Sequence, residues 1–122
     1  IMDTDCMRIF FIPCEQTFKM KRPWAIPTVQ IDNPRIIVTE WRFPPGAETG
    51  WHRHAHDYVV VPMTCGDLTA ETAEGELTHS LTAGLAYHRP AGVEHNIINT
   101  NQHEFVFVEV ELKEPARLVP EE

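Results

Sequence analysis

The sequence predicts an all-β fold, an antiparallel sandwich or barrel. Two observations carry this expectation. Short runs rich in β-branched and aromatic residues recur along the chain, with turn residues between them every 8–12 residues or so. No segment sustains the i, i+3, i+4 apolar spacing of an amphipathic helix. The chain has 122 residues, enough for one compact domain and too few for two ordinary ones.

Taken in order, residues 1–22 mix apolar and basic side chains, and Pro13, Pro23 and Pro27 discourage a long helix. This stretch reads as a strand and loop, or as an arm that packs on a neighbouring subunit. Trp24 to Ile31 reads as extended, and Asp32-Asn33-Pro34 as a turn. Arg35 to Phe43 is β-branched, aromatic and free of breakers, so it is a strand stopped by Pro44-Pro45-Gly46. A second extended piece carries His52 and His54. Tyr58 to Pro62 is the next strand, closed by Cys65-Gly66-Asp67. Leu68–Thr72 and Glu76–Leu81 flank Ala73-Glu74-Gly75 as a hairpin. Leu85 to Arg89 is short and extended, Pro90-Ala91-Gly92 bends the chain, and His95 to Asn99 is a strand. Thr100 to His103 is a turn. Glu104 to Leu112 closes the fold with Val106, Val108, Val110 and Leu112 on one face, which leaves Glu109 and Glu111 as solvated acids. The expected organisation is an N-terminal arm and first strands over 1–30, the barrel over 31–114 and a polar tail over 115–122.

Apolar residues make up 43% of the chain, enough for a real core, and the formal net charge is −8. That balance argues against a nucleic-acid surface, which needs clustered Lys and Arg. No apolar run reaches membrane-spanning length, and Met7 to Ile12 is too short for a secretory segment. Met2, after Ile1, reads as the natural start. Cys6, Cys14 and Cys65 form no C-x-x-C pair and read as reduced, buried thiols of a cytoplasmic protein.

The chemistry centres on His52-Arg53-His54. Histidines at i and i+2 of an extended chain share a face and can grip one metal ion if a third ligand arrives. His95 is the candidate third ligand. His56 is ambiguous, either a ligand, a rim residue or a surface one. Asp57 could orient a ligand ring, although a solvated turn acid is the plainer assignment. His79, His88 and His103 are assigned to the surface or to structural hydrogen bonds. Trp41, Phe43 and Trp51 are expected in the core or a pocket wall, and Tyr58 and Tyr87 could act as general acids if they face inward. No P-loop, Gly-x-Ser-x-Gly elbow or His-Glu-x-x-His motif is present.

The spacing resembles the two motifs of the cupin superfamily. The first offers Gly46, five residues, His52-Arg53-His54 and a final Gly66; the second is complete in Gly84, Pro90, Gly92, His95 and Asn99. The resemblance implies a cupin double-stranded β-helix, or jelly-roll, barrel. Gly46, Gly66, Gly84 and Gly92 would stand where the chain needs positive φ or close approach, and Asn99 would tie a loop through its side chain. The family also places a Glu ligand in the first motif. That slot falls on Val59, or on Tyr58 at the shorter spacing, so the donor set is reduced to three neutral histidines. It then resembles that of the three-histidine cupins, such as thiol dioxygenases.

Longer matches, among them Pro45 to His54, Asp57 to Pro62 and Ala91 to Asn96, are similar to small bacterial cupins, some of which are labelled β-alanine degradation proteins. The resemblance implies a divalent transition metal, Fe(II), Zn, Ni or Mn, at His52, His54 and His95. The expected function is dioxygenase or lyase/isomerase chemistry on a small polar or anionic metabolite. The alternative is a non-catalytic small-molecule-binding or sensor cupin. A homodimer is the expected assembly, formed through edge strands or the residue 1–30 arm.

Overall fold

The computed structural model describes residues 21–114. The arm at 1–20, with Cys6 and Cys14, and the tail at 115–122 lie outside the described residues. Nine strands form among the rest. They are β1 (Ile26–Asp32), β2 (Ile36–Phe43), β3 (His52–Arg53), β4 (Asp57–Pro62), β5 (Gly66–Thr72), β6 (Gly75–Leu81), β7 (Tyr87–Arg89), β8 (Glu94–Asn99) and β9 (Phe105–Leu112). One antiparallel sheet runs β1-β2-β9-β4-β7 and the other β3-β8-β5-β6. The all-β jelly-roll expectation is met, and the strands fall within a few residues of their predicted bounds.

Turn chemistry sets the corners. Asn33 Oδ1 accepts from the backbone N–H groups of Arg35 and Ile36, at 2.8 and 2.9 Å, and so closes the β1–β2 hairpin. The four motif glycines all have positive φ. At Gly66 space is as restrictive as the dihedral. An added Cβ would lie 2.8 Å from Asn101 Oδ1, and that side chain clasps β5 by accepting from Asp67 N–H and donating to Asp67 C=O.

Between the sheets the core fills one end. Phe43 and Phe105 are fully buried, and Phe43 packs on Phe107 with ring centroids 5.5 Å apart. The pairing of Phe43 with Phe105 and Trp41 with Phe107 turns this face of β9 inward. Strand side chains alternate with period two, so Glu109 and Glu111 follow the phenylalanines into the interior. Glu109 is only 8% exposed. This overturns the expectation that both acids are solvated: the aromatic pair, not the valine run, decides which face is the core, and the valines lie on the outer side.

Asn99 locks the filled end. Its side-chain amide donates to the carbonyls of Phe43, Pro44 and His103, at 3.0, 3.2 and 2.9 Å. Its Oδ1 accepts from the backbone and side-chain N–H groups of Asn101. The side chain thus serves both the β2–β3 connection and the β8–β9 turn, as its motif position implied. Cys65 departs from expectation: it is exposed, and its Sγ accepts from Ala83 N–H at 3.3 Å. Asn99→Ala should leave several buried carbonyls unpaired and cost about 3 kcal/mol, read as a lowered urea midpoint with little change in slope.

Candidate metal centre

The three motif histidines meet because β3 and β8 are paired. His52 stands directly opposite His95 in that antiparallel ladder, which places their side chains on one face. The β3 ladder is only two residues long, so His54 lies just past it. Its backbone stays fixed: His54 N–H donates to Val93 C=O, and Gly92 N–H donates to His54 C=O. Gly92 turns the chain here with φ +96°.

Asn96, next to His95, secures the loop that delivers His52. Its Oδ1 accepts from Gly50 N–H at 2.7 Å, while its amide donates to Glu48 and Glu71. His52 Nδ1 then lies 2.8 Å from Gly50 C=O. A carbonyl only accepts, so Nδ1 carries the proton and the neutral ring presents the Nε2 lone pair. His54 Nε2 lies 3.0 Å from His52 Nε2 and 3.2 Å from His95 Nε2. Donors about 2.1 Å from one ion stand about 3.0 Å apart at right angles and about 3.4 Å apart at tetrahedral angles. The three residues therefore fit a single divalent ion.

Their electrostatics agree with that fit. Burial, reinforced by repulsion from His52 and His95, pushes the His54 pKa down to about 3. Burial, with His52 and the Arg89 guanidinium nearby, pushes His95 down to about 4. Both rings are neutral at pH 7, as metal ligands must be. His54 also stacks on Tyr58, with ring centroids 3.8 Å apart and planes 16° from parallel. Tyr58 thus occupies the slot of the missing carboxylate and supports His54 by its ring face. Val59, the other residue at that slot, pairs with Val110 and His88 and lies on the opposite face of β4.

Carboxylates reach this region from β9 instead. Glu109 Oε2 is 4.0 Å from His54 Nε2, and Glu111 Oε2 is 4.0 Å from His54 Nδ1. These distances exceed a hydrogen bond, and a neutral imidazole forms no ion pair. Burial and the neighbouring Glu111 charge raise the Glu109 pKa to about 7, against a weak hydrogen bond from Trp41 Nε1 at 3.4 Å. Burial raises both Tyr58 and Tyr87, with the Glu109 charge adding to each. The histidines, both tyrosines, both glutamates and Arg89 line one cavity of about 420 Å³ between the sheets.

Other candidates fall elsewhere. His56 is half-buried and does not line the cavity. Asp57 serves the backbone by accepting from Ala91 N–H at 2.8 Å, and lies 3.6 Å from the exposed His88; it bonds to none of the three motif histidines. His103 bonds the Cys65 carbonyl, a structural role. Trp41 and Phe43 take the wall and core positions expected, but Trp51 is 57% exposed and joins neither. His79, assigned to surface or structure, lines the cavity at its exposed β6 side. Sequence reasoning did not single out Asn96 and Arg89, and it turned Glu109 and Glu111 outward. The alternation of Phe105, Phe107, Glu109 and Glu111 was the available signal.

Known proteins match this architecture. A family model described as a cupin domain covers residues 39–111. The β-alanine degradation protein BauB of Pseudomonas aeruginosa is 66% identical over 92 residues, which are 75% of this chain and 97% of that protein. The crystal structure of a cupin domain from Bordetella pertussis superposes with a TM-score of 0.77 at 69% identity, over 78% of this chain and 99% of that one. A double-stranded β-helix protein from Klebsiella pneumoniae, 23% identical, shares the fold with a TM-score of 0.63 over 76% of this chain and 80% of its own. With both motifs in place on two facing antiparallel sheets, the chain belongs to the cupin family.

Proposed function

We propose that this chain is a metal-dependent enzyme acting on a small polar or anionic metabolite, with His52, His54 and His95 holding one divalent transition metal ion. The observation that carries the proposal is the convergence of their Nε2 atoms, 3.0 and 3.2 Å apart, on the wall of a substrate-sized cavity. An ion held by three neutral ligands keeps its full charge and open positions; as Fe(II) it would support oxidation by O₂, and as Zn, Ni or Mn it would polarise a substrate oxygen for lyase or isomerase chemistry.

The chain's own groups would do the rest. Arg89, beside His95, is placed to orient an anionic substrate group. Tyr58 and Tyr87, held protonated by burial and the Glu109 charge, are hydrogen-bond donors at neutral pH. Leu68, Ile97 and Phe107 give the cavity apolar walls that limit water. The likeness to a protein named for β-alanine degradation supports a place in the breakdown of a small metabolite.

Protein purified without a His-tag or added metal should hold close to one equivalent of a transition metal by elemental analysis. His95→Ala should lower metal affinity at least tenfold while the fold persists by circular dichroism. If wild type neither holds nor takes up a stoichiometric ion, and His95→Ala leaves stability and ligand binding unchanged, the metal reading fails. Turnover assays with each metal across thiols, diketones and carboxylates separate an enzyme from a binding protein.

We also propose a homodimer paired through β1. This strand is the edge of its sheet and is exposed along its length, with Ile26, Val29 and Ile31 between 45% and 57% exposed. Among the described residues nothing pairs with this edge, and an apolar edge of this kind is a template for another strand. Light scattering at high micromolar concentration should give twice the chain mass, and Ile26→Lys with Ile31→Lys should give the monomer. A wild-type monomer under those conditions overturns the pairing.

A further inference from the structure

The interior of β9 carries two acids that its surroundings do not answer. Glu109 and Glu111, two positions apart, both face the cavity. Among the described residues no Lys or Arg lies within ion-pair distance of either, and the nearest imidazole is the neutral His54 at 4.0 Å. Glu109 is more than nine-tenths buried, and its one side-chain hydrogen bond is the 3.4 Å contact from Trp41 Nε1 to Oε1. Among the described residues its Oε2 therefore has no hydrogen-bond partner. A buried carboxylate in that condition is costly unless something binds to it.

We propose that the cavity takes a small ligand carrying an organic ammonium group, which Glu109 and Glu111 bind while Arg89 and the histidine cluster receive its anionic end. An ammonium supplies the missing charge and several N–H donors at once. Trp41, Tyr58 and Tyr87 line the same cavity, and aromatic faces attract such a cation when water is excluded. Arg89 provides the opposite sign, on the His95 side. A group of either charge thus has a complementary partner, which a purely anionic ligand would leave half unused. His54, Glu109 and Glu111 could by themselves surround a second metal ion, but His54 Nε2 already points at His52 and His95. The proposal rests on the reading of this cavity as a metal-dependent ligand site and specifies the ligand's chemistry.

The test is calorimetric titration of Co(II)-loaded and metal-free protein with matched pairs: amino acids of two to four carbons with a terminal amine, and the same acids without it. The amine member should bind at least about tenfold more tightly, the worth of a charge-assisted hydrogen bond. Glu109→Gln with Glu111→Gln should abolish the preference, while cobalt is still taken up and the plain acids bind at least as tightly as before. Should the double variant fail to fold, Glu111→Gln alone, at the less buried position, should reduce the preference. Equal binding of the two members, no binding of either, or a preference that survives the variants overturns the proposal. So does loss of cobalt in the double variant without an amine preference in wild type, since the acids would then only balance the ion's charge. Amine preference through Glu109 in protein that takes up no metal would sink the metal reading and leave this one standing. Cobalt uptake without the preference does the reverse.

Discussion

The short ladder between β3 and β8 is the contact on which the site depends. Two residue pairs hold it, and one of them is His52 opposite His95. So short a ladder would fray without support from both sides. Asn96 ties the incoming loop through Gly50 and Glu48, and the backbone of Val93 and Gly92 holds His54. Further along the same strand, Asn99 joins the β2–β3 connection to the β8–β9 turn. β8 therefore carries one histidine, positions the other two and closes the far end of the sandwich. A distortion of β8 would move the stability of the fold and the geometry of the histidines together.

The interior divides along the sheets into a filled half and an open half. At the Phe43 end large rings meet and exclude space. Toward Glu109 and Glu111 the facing strand presents Ala70 and Thr72, too small to fill the gap. Small side chains on β5 and acids on β9 together leave a mainly apolar cavity with a few polar and charged groups in an otherwise packed domain. Protein interiors lose stability through such an opening, and a ligand is the usual compensation.

Much of this was legible from residue order. The strands followed from β-branched runs and turn residues, and the glycines and Asn99 took the places that their motif spacing implied. His52, His54 and His95 were recognisable because i, i+2 spacing on an extended chain forces a common face. The remainder was hidden for identifiable reasons. β9 reads equally well with valines or with phenylalanines inward, and only its pairing with Phe43 and Trp41 decides. Trp51 beside His52 says nothing about its own direction, and adjacent strand residues face opposite ways. Asn96 and Arg89 act through partners more than 40 positions away or across a cavity, as with the Asn96 contacts to Gly50 and Glu48, and local pattern carries no trace of that.

The replacement of the motif carboxylate by Tyr58 has a consequence for charge. A Glu at that position would enter the donor set and cancel part of an ion's charge directly. Tyr58 instead stacks on His54 and leaves the donors neutral. The chain does not abolish negative charge near the site; it moves it to β9, where Glu109 and Glu111 stand 4.0 Å from His54. At that distance the acids influence the cavity's field without occupying a coordination position. Separating charge from ligation keeps the proposed ion's open positions for substrate and leaves two carboxylates free to hold the substrate itself.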